Sequence, residues 1–364
     1  MHLEIPQMLI RVSHGARLCS SPGKLAPIRT VALLFCCAAP CPAQTPAPLA
    51  PGPKPADISP DLKQWIGDYG PDGPMLATVA EKDGKLLLFG EALGKFEVGE
   101  KSASELTASC PSNPAVKLVK DDTGAFSLRT TAWDFKRRDF GVDANEIARI
   151  QPVRPVAELR QEALAASPPE EAGHFRKPDL VELVLLDPAI HLDIRYATSN
   201  DFLGVPVYTQ ARAFLERPAA EALLRVLQKL QPLGYGLLIH DAYRPWYVTK
   251  IFWEATPAEG KIFVADPAQG SRHNRGCAVD LTLYDVATGK PIEMPGTYDE
   301  MSSRSFPDYA GGTSLERWHR DLLRRAMESE GFTVYEHEWW HFDYQDWRKY
   351  PILNIPFEKL ERAQ

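Results

Sequence analysis

The chain lacks an excess of positive charge and long apolar runs, and it has few cysteines after its first 45 residues. Its net charge is −7 over 364 residues, so it lacks the basic surface that nucleic-acid binding requires. No apolar run reaches the roughly 20 residues needed to cross a bilayer. Only Cys110 and Cys277 lie beyond the first 45 residues, which excludes a disulfide framework. The fold must therefore be stabilised by its apolar core.

Residues 1–43 have the order of an export signal. Basic residues precede the apolar stretch "TVALLFCCAAPCPAQ", in which Ala43 provides a small residue at a cleavage point. We therefore expect an exported, most simply periplasmic protein; the residues before the three nearby cysteines fit a lipoprotein or cell-surface form less well. Residues 44–60, "QTPAPLAPGPKPADISP", are a Pro/Ala linker that we expect to be extended.

Residues 61–155 have the alternating pattern of a small antiparallel β domain, either a sheet or a barrel. Asp83-Gly84 separates two apolar runs in "MLATVAEKDGKLLLFG" and predicts a hairpin, and "GAFSLRT" and "EIARIQPV" predict further strands. Through "WIGDYG", "DGKLLL" and "FGVDANEIARIQPV" the segment resembles the lipocalin-like β domain appended to some exported serine hydrolases. It contains no histidine and no carboxylates at ligand spacing, so we assign it no chemistry. Contact with the cell wall is one role that stays open.

The rest of the chain is typical of an α+β domain. Residues 156–173 predict a helical or linker connector, and residues 174–364 form the second domain. Within it, "PAAEALLRVLQKLQPLG" predicts an amphipathic helix that ends at Gly234, and "TSLERWHRDLLRRAMESEGF" a second that ends at Gly331. "YGLLIHDAYRP" predicts a buried strand that leads into a polar turn. Polar residues therefore gather at strand ends.

Two stretches carry residues suited to a metal site. In "GSRHNRGCAVDLTLYD", His273 and Asp280 enclose a glycine-bearing turn; alone, this pair fits a solvated surface hairpin as well as a metal site. "EHEWWHFDY" adds Glu338 and His341, which a helical turn or a bulged strand could aim at one point, and its aromatic residues favour a strand. Three N/O ligands plus water are common in catalytic zinc sites, with a nearby glutamate as base. The helical His-Glu-x-x-His motif is absent.

"SRHNRGCAVDLTLYD" and "EWWH" closely resemble the D-alanyl-D-alanine dipeptidases of the VanX type, which are zinc D,D-peptidases. The resemblance covers about residues 181–357 and includes, in family order, "RYATSNDFLGVPVY", "GYGLLIHDAYRP", "MPGTYDEM" and "YP". It implies an α+β zinc D,D-peptidase domain with one Zn²⁺ per chain. The implied ligands are His273, Asp280 and His341, and the implied general base, and later acid, is Glu338.

The resemblance also implies roles in substrate binding. Arg244 of "DAYRP" would stabilise the oxyanion, for which the fixed donors of a guanidinium are well suited. Asp299 and Ser271 would hold the free ammonium of a dipeptide, and Tyr196 would line the pocket. Cys277 stands where the family usually has a small residue, and we expect a buried filler rather than a competing zinc ligand.

The sequence therefore predicts an exported zinc dipeptidase that hydrolyses D-alanyl-D-alanine or a similar D,D-dipeptide. One alternative is a zinc D,D-carboxypeptidase acting on longer cell-wall peptides; Asp299 discriminates, because it is useful for a free amine and not for a blocked one. The other is a non-catalytic cell-wall-binding protein, which Glu338 beside a complete ligand set disfavours. The oligomeric state and the choice between glycopeptide resistance and recycling of wall fragments stay open.

Overall fold

The computed structural model describes residues 49, 51–71, 73–108, 116–139 and 149–360. The predicted export signal, the first part of the predicted linker and Cys110 lie outside these residues. Within the described ranges, no helix combines the length and apolar character that a membrane span needs.

The N-terminal domain is an eight-stranded antiparallel sheet in which each strand pairs with the next along the chain. A short helix, α1 (Pro60–Lys63), precedes it. Its strands are β1 (Gly67–Tyr69), β2 (Ala77–Lys82), β3 (Lys85–Gly90), β4 (Gly94–Ser102), β5 (Glu105–Ala108), β6 (Lys117–Lys120), β7 (Phe126–Arg129) and β8 (Asp134–Lys136). Tyr69 bridges to Arg137 just after β8, and the Arg138 N–H donates to the Asp68 carbonyl at 2.7 Å. The sheet is therefore nearly closed into a barrel.

For this barrel the hairpin prediction and one strand prediction are confirmed, and a second strand prediction is wrong over the residues that the structure describes. Asp83 and Gly84 both have positive φ, 53° and 78°, and connect β2 to β3 as a two-residue turn. "GAFSLRT" contains β7. The described part of "EIARIQPV", residues 149–153, forms no strand. Its Ile150 and Val153 N–H groups donate instead to carbonyls of the second domain, so the segment connects the two domains rather than joining the sheet.

The second domain is α+β and is built around a five-stranded mixed sheet of order β10-β12-β13-β15-β14. Its strands are β9 (Leu180–Glu182), β10 (Ile190–Leu192), β11 (Phe214–Glu216), β12 (Tyr235–Asp241), β13 (Ala278–Asp285), β14 (Phe332–Tyr335) and β15 (Glu338–Tyr344). Its helices are α2 (Val156–Ala165), α3 (Arg217–Leu230), α4 (Trp246–Ala255) and α5 (Ser314–Glu328). Strand β10 runs parallel to β12, the other neighbours are antiparallel, and β9 pairs with β11 in a separate ribbon.

The helix ends follow the sequence signals. Helix α3 buries one apolar face, and Gly234 with φ of 87° terminates the turn that follows it. Helix α5 starts with a capping box formed by Thr313 and Glu316, and Gly331 with φ of 84° lies after its end. Strand β12 is buried at all seven positions, which confirms the predicted buried strand, and its last two residues are the polar His240 and Asp241. Helices α3 and α5 pack against β12 and β13 and keep both strands buried. Polar residues lie near the ends of these two strands.

The turn before β13 depends on Gly276, whose φ is 62°. A Cβ at this position would lie 2.5 Å from Leu180 Cδ2 and 3.3 Å from the Glu216 backbone nitrogen. A left-handed conformation costs a residue with a Cβ about 1–2 kcal/mol, and here the steric contact adds to that cost.

We expect Gly276→Ala to lower the free energy of unfolding more than Gly289→Ala, where φ is 70° and no atom lies within 4 Å. Urea denaturation measures both variants, and equal losses would contradict the steric argument.

Candidate metal centre

Strand register brings the first two candidate ligands together. Asp280 of β13 lies directly opposite His341 of β15, and on its other side it lies opposite Asp241 of β12. Residues directly opposite each other on neighbouring strands project from the same face of the sheet. Asp280 and His341 are therefore cross-strand neighbours, and Asp241 extends the row.

His273 reaches the same point from the turn that precedes β13. The turn, His273–Arg275, is a single 3₁₀ turn, and Gly276 reverses the chain into the strand. The Nδ1 atom of His273 lies 2.6 Å from the Ala242 carbonyl oxygen, so this nitrogen is the donor in that contact. Because Nδ1 carries the hydrogen, Nε2 is left as the ligating nitrogen and faces Asp280.

The three nearest side-chain atoms form a small triangle. His273 Nε2 lies 3.3 Å from Asp280 Oδ1, His341 Nδ1 lies 3.0 Å from Asp280 Oδ1, and the two ring nitrogens are 3.1 Å apart. Atoms bound at about 2.0–2.2 Å to a tetrahedral ion are separated by about 3.3 Å. Two imidazole nitrogens and one carboxylate oxygen with these separations fit a zinc ion.

The carboxylate of Asp280 gives independent support for a cation at this point. Within the described residues its Oδ1 is buried and faces only the two ring nitrogens, with no further hydrogen-bond donor, although buried carboxylate oxygens normally have one. Burial alone would raise the pKa of Asp280, but the His273 and His341 rings outweigh it and hold the pKa well below the usual range. Asp280 is therefore ionised and has one oxygen ready to bind a metal.

The second ring nitrogen of His341 has its own partner, Asp343. His341 Nε2 lies 2.9 Å from Asp343 Oδ1, so it donates to that carboxylate and leaves Nδ1 to face Asp280. Asp343 also pairs with Arg272, whose Nε lies 3.3 Å from Oδ2. Sequence reasoning missed Asp343, although the spacing of two in a strand places it on the same face as His341.

A bulge in β15 allows Glu338 to reach the site. Val334 pairs with Phe342, whereas the next residue, Tyr335, pairs with Glu338. Residues 339–341 of β15 therefore have no counterpart on β14, and the strand bends there. Of the two geometries that the sequence left open, the structure has the bulged strand.

Glu338 has the ionisation expected of a proton acceptor. Its Oε2 lies 3.7 Å from His341 Nδ1, at the edge of the ligand triangle. Burial, together with the charge of Asp280, raises the pKa of Glu338 to about 7, although the positive charges of His341 and Arg244 oppose the rise. A carboxyl group with a pKa near neutrality can both accept and donate a proton.

Arg244 is buried and held by Asp241, which sequence reasoning did not select. Arg244 Nε and Nη2 each lie 2.8 Å from Asp241 Oδ2, and Nη2 lies 3.8 Å from Asp280 Oδ2. The other oxygen of Asp241 accepts from the Tyr208 hydroxyl at 2.6 Å. The guanidinium is therefore fixed beside the candidate metal ligands. The signal that could have found Asp241 is the "DAYR" spacing, with opposite charges three residues apart at a strand end.

The three remaining candidates also lie at this site. Asp299 Oδ2 accepts from the Tyr196 hydroxyl at 2.7 Å. Burial, and then the charges of Asp280 and Glu338, raise the pKa of Asp299 well above its usual range, although the hydrogen bond from Tyr196 opposes the rise. Ser271 Oγ accepts from the His273 N–H at 3.2 Å and thus braces the turn that carries a candidate ligand.

One cavity joins all eight residues selected from the sequence. They are Tyr196, Arg244, Ser271, His273, Asp280, Asp299, Glu338 and His341. The cavity has a volume of about 90 Å³ and opens to solvent. Cys277 is fully buried, as expected of a filler, and burial raises the pKa of its thiol. Neither Cys277 nor His337 belongs to the ligand group found among the described residues.

All eight candidate residues lie in the part of the chain that is similar in sequence to known proteins. A sequence profile of the M15 peptidases, described as D-ala-D-ala dipeptidase, matches residues 176–358. The D-alanyl-D-alanine dipeptidase of Escherichia coli (strain K12) is 35% identical over 179 residues, which are 49% of this chain and 91% of that protein. The enzyme of the same name from Enterococcus faecalis is 35% identical over 195 residues, with 48% and 96% covered. That of Enterococcus faecium is 34% identical over 198 residues, with 49% and 98% covered.

Metal analysis tests the ligand set. We expect the purified protein to carry about one zinc ion per chain, since the triangle offers three ligands to one ion. His341→Ala should lose most of this zinc, because one of three protein ligands is removed. His337→Ala is the matched control, since its ring lies on the same segment but outside the ligand group. Full zinc content in His341→Ala would contradict the assignment.

Proposed function

The chain belongs to the M15 peptidase family of D-Ala-D-Ala dipeptidases, and we propose that it is a zinc enzyme hydrolysing D-alanyl-D-alanine or a similar D,D-dipeptide. The profile match over residues 176–358 confirms the family resemblance found in the sequence. The observation that carries the proposal is the triangle of His273, Asp280 and His341 atoms with a Glu338 oxygen 3.7 Å from one corner.

Each catalytic role follows from the chemistry of the side chain. Zinc bound by the three ligands would supply polarisation of the scissile carbonyl and a lower pKa for the attacking water. Glu338 would accept the proton of that water and return it to the leaving amine as the C–N bond breaks. The hydroxyl remains on the carbonyl carbon, so hydrolysis of the dipeptide gives two alanine molecules. Burial raises the pKa of Glu338, which suits it to return the proton as well as to accept it.

Arg244 would donate to the oxyanion that develops during attack. Asp241 binds Nε and Nη2 through one oxygen, which fixes the plane of the guanidinium before substrate arrives. Donors that are oriented in advance in a buried site stabilise developing charge more than solvent does. An arginine also stays charged throughout, whereas a lysine would offer neither the fixed plane nor the fork of donors.

The two ends of a zwitterionic dipeptide would bind opposite charges. Asp299, on the Tyr196 side of the cavity, would pair with the ammonium, whose positive charge would lower the raised pKa of this carboxyl group, and Ser271 would lie beside it. Arg272 lines the same cavity on the Asp343 side of His341 and would pair with the carboxylate. The longer peptides cleaved by a D,D-carboxypeptidase would place no ammonium beside Asp299, so this charge arrangement favours a dipeptidase.

The order of charged and apolar residues in positions 1–43 supports the further proposal that the protein is exported to the periplasm.

Substitution of the proposed base separates chemistry from metal binding. Glu338→Gln keeps the size of the side chain but removes the group that carries the proton. We expect zinc to be retained and kcat to fall by more than the roughly 10²–10⁴ typical of one acid–base group, since Glu338 serves both proton transfers. Amino-acid release from D-Ala-D-Ala measures the loss. A decrease below tenfold would mean that another group is the base.

The role of Asp299 is tested by changing the enzyme and the substrate together. Removing one partner of a buried charge pair costs about 2–5 kcal/mol, a factor of tens to thousands in kcat/KM. We expect the wild-type enzyme to prefer D-Ala-D-Ala over its N-acetyl derivative by such a factor. Asp299→Asn should lower hydrolysis of the free dipeptide by a comparable factor and scarcely affect the acetylated one.

The two changes should therefore be far from additive. Equal hydrolysis of free and acetylated dipeptide by the wild-type enzyme would favour the carboxypeptidase instead. The zinc assignment would be unaffected by that result, because it rests on a separate measurement.

A further inference from the structure

The barrel contacts the second domain through two buried carboxylates. Asp68 of β1 is 0% exposed and Glu81 of β2 is 2% exposed. A buried carboxylate is costly unless hydrogen bonds compensate for the lost water. Most of the partners of these two residues belong to residues 303–317 of the second domain. Their hydrogen bonds therefore define how the barrel holds this segment.

Asp68 binds two hydroxyl groups of the second domain. Its Oδ2 accepts from Ser303 Oγ at 3.1 Å, and its Oδ1 accepts from the Tyr309 hydroxyl at 2.9 Å. A third hydrogen bond, from Thr78 Oγ1 at 2.7 Å, fixes the carboxylate within the barrel itself. Asp68 is thus anchored to the neighbouring strand β2 and holds Ser303 and Tyr309.

Glu81 holds the far end of the same segment. The Glu81 N–H donates to the Gly312 carbonyl at 3.0 Å, and Ala80 forms a parallel bridge with Gly312. Glu81 Oε2 accepts from the Ser314 N–H at 2.6 Å. Ser314 is the first residue of α5, where the backbone N–H groups have no partner within the helix and favour negative charge. The barrel thereby fixes the start of α5.

The start of this segment, together with the residues just before it, forms a compact unit that includes Asp299. We call residues 296–305 the Asp299 loop. Glu300 is 1% exposed and accepts from Ser302 Oγ at 2.6 Å inside the loop. A Cβ on Gly296 would lie 2.6 Å from the Arg304 carbonyl oxygen, so the two ends of the loop are in close contact. A displacement at Ser303 would consequently be transmitted to the rest of the loop.

We propose that the barrel is a positioning element for the ammonium end of the substrate site, acting on the Asp299 loop through the contact of Asp68 with Ser303, while Glu81 fixes the start of α5 beyond the loop. Asp299 has φ of 58°, a left-handed conformation that is unfavourable for a residue with a Cβ and persists where the surroundings enforce it. Asp68 contacts Ser303 of the loop and is a positioning residue rather than a catalytic one. The functional consequence rests on the role of Asp299 in the proposed function.

The test uses the full-length protein and compares two aspartate-to-asparagine substitutions, one at the domain contact and one at an exposed turn of the barrel. Asp68→Asn removes the charge that holds Ser303 and Tyr309. Asp121→Asn is the control, because Asp121 Oδ1 also accepts three hydrogen bonds, all from Thr123 and Ala125 in the turn between β6 and β7. Ser303→Ala and Tyr309→Phe each remove one hydroxyl on the second-domain side. If Asp68→Asn does not fold, Ser303→Ala and Tyr309→Phe replace it in the same measurements.

Kinetics measure the effect on the substrate's ammonium end. We expect Asp68→Asn to raise KM for D-Ala-D-Ala by at least about fivefold, the low end of coupling between separate sites, with kcat and zinc content much less changed. The preference for the free over the N-acetylated dipeptide should shrink by a similar factor. Asp121→Asn should keep the wild-type values. A variant that loses only thermal stability and retains the wild-type preference would overturn the proposal.

Hydrogen exchange supplies a readout that does not depend on activity. Amides of the Asp299 loop should exchange faster in Asp68→Asn and in Tyr309→Phe than in the wild type or Asp121→Asn, all with zinc bound. Unchanged exchange in the loop would overturn the proposal. If the wild type hydrolyses neither dipeptide, the proposed function fails, and exchange alone decides whether the barrel orders the loop.

Discussion

The carboxylate of Asp280 lies in the interior of the second domain with Oδ1 facing two imidazole rings and Oδ2 near the Tyr298 hydroxyl at 3.3 Å. A buried charge of this kind costs several kcal/mol unless opposite charge and hydrogen bonds compensate for lost solvation. The local architecture provides that compensation. The register of β13 and β15 delivers His341, the turn before β13 delivers His273, and Arg244 lies on the remaining side.

Charge balance then explains the other ionisable groups of the cavity. Six carboxylates lie in or against it, those of Asp241, Asp280, Asp299, Glu300, Glu338 and Asp343, whereas its guanidinium groups are those of Arg244 and Arg272. Burial lowers the pKa of His341, but Asp343 and Asp280 outweigh this effect and raise it to about 10, so its imidazolium offsets one negative charge. A divalent cation on the same ligand atoms would replace that proton and offset more charge. The negative charge of Asp280 repels negative charge on its neighbours and therefore raises the pKa of both Glu338 and Asp299.

The sequence predicts those features that depend on local pattern. Residue type and spacing selected His273, Asp280 and His341 as candidate metal ligands. Gly234 and Gly331 predicted where two helices end, because glycine readily adopts the left-handed conformation that follows a helix. The three-residue bulge that turns Glu338 toward His341 could not be derived, because it depends on how β15 pairs with β14. Asp241 and Asp343 were missed for a related reason: each acts by orienting another side chain, and such roles become visible only when partners are paired in space. The prediction of a strand at "EIARIQPV" failed in residues 149–153 because the hydrogen bonds there go to the second domain rather than to a neighbouring strand.

The contact between barrel and second domain lies further beyond sequence reasoning, since Asp68 and Ser303 are separated by 235 positions. Its composition nonetheless indicates what kind of contact it is. The apolar residues of the described chain form separate clusters, one around Trp65 and Leu88 in the barrel and one around Leu237 and Phe342 in the second domain. The hydrogen bonds of Asp68 and Glu81 join the two domains. Buried carboxylates add little net stability when their desolvation is counted, but their hydrogen bonds are directional and costly to break singly. A contact of this composition fixes orientation more than it adds stability, and the segment whose orientation it fixes is the one that follows Asp299.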